Sequence, residues 1–358
     1  MEPLPIVPAD HHKGRGAQHN PPNRFLNYQR AQEHWEALDE LPNTDLPTEY
    51  RLEYPREIVN RVDSPDVGMQ YSLNPYQGCE HGCVYCYARP THEYWGYSAG
   101  QDFERIILVK PEAPKLLSQF LQHPKWLPVP IALSGNTDCY QPAERKFGIT
   151  RQLLEVFWAH RHPVSIITKN ALILRDLDII EKLAAHQLVH VAVSITGLDE
   201  ALRQKLEPRT VPYARRLEVI RRLSAIGVPV TLMCAPIIPG LNSHEVPKVI
   251  EAAAQAGAIN CGHTVVRLNG AVAGVFTEWL RRTFPDRAQK VLRQIEACHG
   301  GSLGDSRYGT RMVGEGVLAQ QIAQWVHKAR QRYMNGGHHA PYNTELYRRN
   351  PSAPTLFG

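Results

Sequence analysis

The 358-residue sequence lacks any stretch approaching the roughly 18 uninterrupted apolar residues that a membrane-spanning helix needs. Its opening, MEPLPIVPADHHKGRG, has no apolar signal-peptide core. The expectation is a cytoplasmic protein with no membrane partner. A dominant charge is also missing: 40 Lys and Arg against 35 Asp and Glu leave +5. That balance permits contact with phosphate-rich partners but is too small for a dedicated nucleic-acid-binding domain. Cysteine is present in an odd number, seven, three of them within eight positions, while Cys139, Cys234, Cys261 and Cys298 are scattered. This excludes a disulfide framework and points the tight cluster to metal or redox chemistry. Internal repeats are absent beyond an alternation of strand-like and helix-like segments. With 43% hydrophobic and 21% charged residues, the chain can bury a core and is neither wholly disordered, collagenous nor a coiled coil.

Residues 1–70, rich in Pro, Asn, His and Arg, read as an extended, partly disordered arm with one short helical candidate near Gln29 to Leu38. From Tyr71 the texture changes. Short β-branched runs near Tyr71 to Tyr76, Arg105 to Val109, Pro130 to Ser134, Val164 to Thr168, Val189 to Ile195, Val228 to Cys234 and His263 to Arg267 read as strands. Between them lie helical patterns at Ala113 to Leu121, Thr150 to His160, Leu172 to Ala185, Tyr213 to Ala225 and Glu245 to Ala256. Thr150 and Ser243 read as caps, and Gly227 and Gly257 as stops. Such alternation predicts βαβ units and a parallel sheet. The number of units, too few for a closed eight-fold barrel, favours an α/β partial (βα)6 barrel over a doubly wound sheet. The core is expected over 71–270, a helical extension over 271–334 and a flexible polar tail over 335–358. Either architecture collects ligands at the carboxyl ends of the strands.

After the first of these runs comes NPYQGCEHGCVYCYARP, with Cys79, Cys83 and Cys86 spaced C-x3-C-x2-C. Gly78 and Gly82 allow a tight turn that brings three thiolates toward one point. A closed structural site uses four protein ligands, whereas three leave a position open for a reacting group. Thiolates suit zinc or iron–sulfur clusters. A Cys3His zinc site would need His81 or His92 as fourth ligand. His81, inside the loop, would be strained in reaching a metal already held by both flanking cysteines. The scattered cysteines read as small buried apolar residues.

The spacing C-x3-C-x2-C, with Tyr85 directly before the third cysteine and placed after the first strand of a βα array, resembles the radical S-adenosylmethionine (radical SAM) superfamily over about Tyr71 to Arg267. The resemblance implies a 4Fe-4S cluster on Cys79, Cys83 and Cys86. Its fourth iron would be chelated by S-adenosylmethionine, which is cleaved reductively to a 5'-deoxyadenosyl radical. A reducing donor such as flavodoxin or ferredoxin is then implied. The segments GCVYCYARP, SGNTDCYQPAERKFGITR and ITKN are similar to the subgroup related to spore photoproduct lyase.

The resemblance also assigns residues after the other strands. Gly135, Asn136, Thr137 and Asp138 stand where the family contacts the methionine ammonium, although Asn and Asp are ordinary turn residues too. Lys169 would pair with the S-adenosylmethionine carboxylate. Ser194 resembles a ribose or carboxylate contact, and Arg209 could reach that carboxylate or a substrate phosphate. Ala235 lies in an apolar segment expected to pack on the adenine, with Tyr85 and Tyr87 adding contacts to that base. Spore photoproduct lyases, as the resemblance implies, carry a hydrogen-donating cysteine where this chain has Gly135. The nearest thiol is Cys139, which could take that role. The expected function is a radical SAM enzyme acting on an unassigned substrate, nucleic acid or nucleotide among the classes considered. The alternatives are a zinc-stabilised nucleic-acid-binding module and a maturation or repair partner of another protein.

Overall fold

The computed structural model describes residues 12, 14–26, 47–334 and 340–351. Among them the backbone forms ten strands: β1 (Glu49–Leu52), β2 (Val59–Arg61), β3 (Tyr71–Leu73), β4 (Tyr76–Gln77), β5 (Ile106–Val109), β6 (Ile131–Leu133), β7 (Val164–Thr168), β8 (Val189–Ser194), β9 (Val230–Ile237) and β10 (Asn260–Val265). The larger sheet has the order β10-β9-β8-β7-β6-β3-β2. Its six strands from β3 to β10 pair in parallel, and β2 adds antiparallel to β3 at one edge. That order never reverses, so the sheet winds in one direction, as a partial barrel does; a doubly wound sheet would reverse at a switch point.

β-branched stretches such as VSIIT in β7 and VHVAVS in β8 supply strands with few exposed positions, as a parallel sheet covered by helices requires. The crossovers carry the helices Ala113–Leu121, Ile149–Ala159, Leu177–Ala184, Tyr213–Ala225 and Val246–Gln255. Each buries an apolar stripe against the strands, for example Leu153, Leu154 and Phe157 or Val219, Ile220 and Leu223. Gly316–Tyr333 completes the outer layer, burying Ala319, Ile322, Val326 and Ala329 in the same core. Gly227 and Gly257 end their helices with positive φ, as expected. The expected caps do not form. Thr150 donates its hydroxyl to the Cys139 carbonyl (2.7 Å) while Gly148 starts the helix, and Ser243 lies in a 3-10 turn led by Asn242.

The run Arg105 to Val109 is not a barrel strand. As β5 it leaves the larger sheet and pairs with β1 in parallel and β4 antiparallel, forming a small second sheet. All four of its residues are buried, and a fully apolar run carries no signal of which sheet it joins. The arm expected over 1–70 supplies β1 and β2, and Gly16 and Ala17 donate backbone N–H groups to Glu104 (2.9 and 2.7 Å). The helical candidate Gln29 to Leu38 lies outside the described residues.

Two loops bridge the gap between the sheet edges. Met312 accepts from the Val265 N–H of β10 (2.8 Å). Within the same loop the Gly309 N–H and Arg311 Nε donate to Asp66, in the loop after β2 (2.8 and 2.6 Å). This strap spans the side on which a partial barrel is open.

The closing segment also departs from expectation. Over 340–351 it packs against the start of β8 and the turn after the helix Ile149–Ala159: Tyr342 stacks on His190 at 3.9 Å, the Asn343 N–H donates to Gln187 O (3.0 Å), and the Arg348 N–H to His160 O (2.8 Å). Its polar composition hid backbone and aromatic contacts that need no hydrophobic pattern. Truncation after residue 339 should lower stability by about 1–2 kcal/mol, measured as the urea midpoint. An unchanged midpoint would show that the segment is not anchored.

Candidate active site

The loop from Gly78 to Cys86 leaves β4 and turns back under the strand ends. Gly78 and Gly82 have φ of +82° and +68°, and a Cβ on Gly78 would sit 2.7 Å from the Ile106 carbonyl; only glycine fits there. Fully buried Arg89 clamps the loop. Its Nε and Nη2 donate to the Cys83 carbonyl (3.0 and 2.9 Å), its Nη1 to Gly100 O (2.9 Å), and it pairs with fully buried Glu104. Gln141 closes the other side, donating to Gly78 O and accepting from the Glu80 N–H, both at 3.0 Å.

Cys79, Cys83 and Cys86 thereby face one cavity of about 440 Å³, of the size that holds a small organic ligand. All three are free thiols, and burial pushes each above its ordinary pKa. A thiolate here needs the countercharge of a bound metal. Among the described residues no group of three or more His, Cys, Asp or Glu forms a ready-made grip for an ion. In a polynuclear cluster each thiolate binds a different iron, so three thiols bordering a shared cavity can serve without converging on one point.

The opposite wall comes from the strand ends. Lys169, after β7, places Nζ 3.7 Å from Glu207 Oε1 and 5.7 Å from the centre of the Tyr85 ring. Glu207 is fully buried and also accepts from the Tyr85 hydroxyl, from Arg216 and from Thr196. Burial alone would raise its pKa, but Arg216, Lys169 and the Tyr85 hydroxyl outweigh that effect and hold the carboxyl well below the usual range. Arg216, itself fully buried, donates onward to Ser194 O (3.0 Å), Val211 O (3.1 Å) and Thr210 Oγ1 (2.6 Å). One carboxylate therefore ties the cysteine loop to the ends of β7 and β8.

Asp138 performs a similar task on the other side. It accepts from the Tyr140 N–H (2.9 Å), Thr168 Oγ1 (2.9 Å) and the Lys169 N–H (2.8 Å), with His81 Nδ1 at 3.5 Å. Burial lowers the pKa of His81 despite Asp138, and its Nε2 lies 3.1 Å from Asn170 Nδ2. His92, the other histidine considered for zinc, packs between Tyr97 and Phe103 and is not part of the cavity wall.

Most of the residues anticipated from sequence meet here. Tyr85, Lys169, Ser194 and Ala235 line the cavity, as do Tyr87, Gly135, Asn136 and Asp138. Tyr87 donates its hydroxyl to the Gly135 carbonyl (2.8 Å), and a Cβ on Gly135 would stand 2.8 Å from Ser72 Cβ, so the backbone there approaches as closely as glycine allows. The Asn136 amide is engaged by Gln77 and Thr91 (3.4 and 3.2 Å).

Two assignments are corrected. Cys139 is fully buried in the main hydrophobic core and does not border the cavity, because the turn after β6 directs it behind the sheet. Arg209 also stays off the wall, with Nη1 3.4 Å from Thr48 Oγ1 and 3.9 Å from Glu80 Oε1. The cation of the same stretch that pairs with Glu207 behind the wall is Arg216, the fourth residue of the helix Tyr213–Ala225, where the sequence shows only one arginine among several.

Comparison with known sequences decides the family: the description "Radical SAM superfamily" matches residues 73–253, half of the chain. The chain belongs to the radical SAM superfamily. Membership implies cleavage of S-adenosylmethionine at an iron–sulfur cluster, and the three cavity-facing thiols and the size of the cavity fit both groups. The radical SAM chain is 35% identical to the uncharacterised protein Rv2578c of Mycobacterium tuberculosis over 64% of its length and 69% of the relative's. It is 30% identical to the uncharacterised protein MJ0683 of Methanocaldococcus jannaschii over 53% and 68%. Its fold is similar to that of spore photoproduct lyase complexed with dinucleoside spore photoproduct, with a TM-score of 0.60, 80% of each chain covered and 15% identity. This likeness bears out the partial barrel.

The Glu207 network yields a prediction. Glu207→Gln leaves Arg216 buried without a countercharge and should cost about 3–5 kcal/mol at neutral pH. Because the folded carboxyl has a lowered pKa, its contribution is complete above about pH 4.5 and declines as pH falls from there toward the folded value. Urea unfolding of both proteins across that range should show the gap narrowing in acid. Equal stability at pH 7 would contradict the pairing.

Proposed function

We propose that the chain is an enzyme that binds a 4Fe-4S cluster through Cys79, Cys83 and Cys86 and S-adenosylmethionine in the adjoining cavity, and acts on a substrate at the same strand ends. The observation that carries this reading is the meeting of three thiols from one loop with Lys169, Ser194 and Ala235 around one cavity. When bound, cluster and S-adenosylmethionine supply reductive cleavage of the sulfonium and a hydrogen-abstracting 5'-deoxyadenosyl radical. Flavodoxin or ferredoxin is the proposed class of electron donor.

The chain's own residues hold and orient. Lys169 offers a cation to the S-adenosylmethionine carboxylate, and Glu207 keeps that lysine in place. Gly135 gives a backbone carbonyl and close access beside the amino group, with Tyr87 fixing the carbonyl's direction. Asp138, whose oxygens are already engaged, positions Lys169 and His81. Ser194 faces the ribose region and Ala235 the adenine. Apolar walls exclude water from the reacting atoms.

Nucleic acid or a nucleotide is the proposed substrate class, supported by the fold shared with a lyase whose complex contains a dinucleoside photoproduct. The chemistry differs from that lyase at its end. With Gly135 at the position of the lyase's hydrogen donor and Cys139 buried behind the sheet, the product is completed without a thiol at this place. A zinc module gains nothing from the two candidate histidines, since His81 is engaged by Asn170 and Asp138 and His92 stands off the cavity.

Two variants test the reading. Cys83→Ala should abolish cluster assembly, read as iron and sulfide content. Lys169→Ala should retain the cluster and weaken S-adenosylmethionine binding about tenfold, the loss of one charge-assisted contact. Full iron and sulfide in the first variant, or unchanged affinity in the second, would overturn the assignments.

A further inference from the structure

The cavity's end formed by the strap has a composition that its cysteine end does not require. Arg267 follows β10 and lines the cavity in a half-buried setting. Among the described residues its one hydrogen bond runs from Nη1 to the Met312 sulfur at 3.1 Å, and no carboxylate lies in ion-pair contact with it. Arg311, on the strap, lines the same end, but its charge is matched by Asp66, with Ser64 as a further acceptor and the Tyr308 ring 4.5 Å from its guanidinium carbon. Of these two guanidinium groups only that of Arg267 has no carboxylate in ion-pair contact; Asp66 and Asp305 act on it from beyond that range.

A guanidinium withdrawn from water without a carboxylate is costly, and burial together with the neighbouring Arg311 lowers the pKa of Arg267. The wall residues Val62, Val67, Met69, Met233 and Met312 carry no charge, the more distant Asp66 and Asp305 oppose that effect, and three of the chain's five methionines stand there. Methionine walls adapt to flat or irregular apolar bodies. The guanidinium fork matches the paired oxygens of a carboxylate or phosphate.

We infer that Arg267 is the recognition residue for a singly charged anionic group on the substrate, a phosphodiester or a carboxylate, whose apolar body lies against the methionine wall. The inference rests on the proposed function only in taking this cavity as the substrate's. A single guanidinium without an ion-pair partner suits a monoanion better than a terminal phosphate carrying two charges. Arg311, held by Asp66, positions the strap and adds field without being consumed as a partner.

Calorimetric titration of the purified full chain tests this, with thymidylyl-3',5'-thymidine as phosphodiester, its uncharged methyl phosphotriester as control, and phenylacetate as carboxylate. One of the two monoanions should bind, identifying the source of the charge, and Arg267→Gln should weaken that binding about tenfold or more. Arg267→Lys should fall between, since it keeps the charge and loses the fork. The phosphotriester should bind both proteins alike. Failure of both monoanions to bind, a change of less than about twofold in Arg267→Gln, or an equal loss for the phosphotriester would overturn the inference. S-adenosylmethionine titrated in parallel should bind the variant as it binds the wild type; its loss would reassign Arg267 to the cofactor and overturn the substrate role. Selective loss of the monoanion in a protein that neither assembles a cluster nor cleaves S-adenosylmethionine would sink the proposed function and leave the anion site standing.

Discussion

The carboxylate of Glu207 is buried without access to water and is surrounded by Arg216, Lys169 and the hydroxyls of Tyr85 and Thr196. A lone charge in that position would be prohibitively desolvated. Its neighbours reverse the balance, and in doing so they fix three separate chain segments relative to one another: the cysteine loop through Tyr85, the end of β7 through Lys169, and the end of β8 through Arg216. Buried ion pairs contribute little net stability compared with apolar packing. What this one provides is position, in a loop of glycines and cysteines that has few apolar side chains with which to hold itself.

A second buried pair, Arg89 with Glu104, repeats the device behind the loop, where five guanidinium donors can satisfy the Cys83, Ala99 and Gly100 carbonyls simultaneously. The N-terminal arm completes it, since the Gly16 and Ala17 N–H groups take up the remaining capacity of Glu104. The two networks fix the loop that carries the thiols, and burial favours the neutral form of each until a metal binds. They also explain why the cavity can be apolar over most of its wall and still hold charged groups at defined points. The radical SAM assignment makes such fixed placement useful, because a reactive species must form at a defined position beside its target.

Much of this was legible in the sequence, and the failures have physical causes. The strands from Ile131 to Ser194 read correctly because short β-branched runs bounded by helix patterns leave few alternatives. The cysteine spacing announced the site, and Lys169, Ser194 and Ala235, singled out by the family resemblance at strand ends, line the same cavity. The run at Ile106–Val109 misled because uninterrupted burial says that a strand is covered and not which sheet covers it. Cys139 was placed by proximity in sequence, yet the turn after β6, where Ser134 has a φ of 76°, sends it into the core. Arg209 and Arg216 illustrate the harder limit: Arg209 lies in a loop turned toward Thr48, while the phase of the helix Tyr213–Ala225 turns Arg216, and not Arg215, onto the Glu207 carboxylate. The contacts of the strap from Gly309 to Met312 with Asp66 and Val265 join segments more than 40 residues apart, which no local periodicity records.

The most direct test of the account is anaerobic reconstitution of the full chain, followed by metal and sulfide analysis and a search for 5'-deoxyadenosine after reduction in the presence of S-adenosylmethionine. The account predicts about four iron and four sulfide per chain, with 5'-deoxyadenosine formed only when the cluster is present and reduced. Stoichiometric zinc, without iron and without cleavage of S-adenosylmethionine, would contradict it.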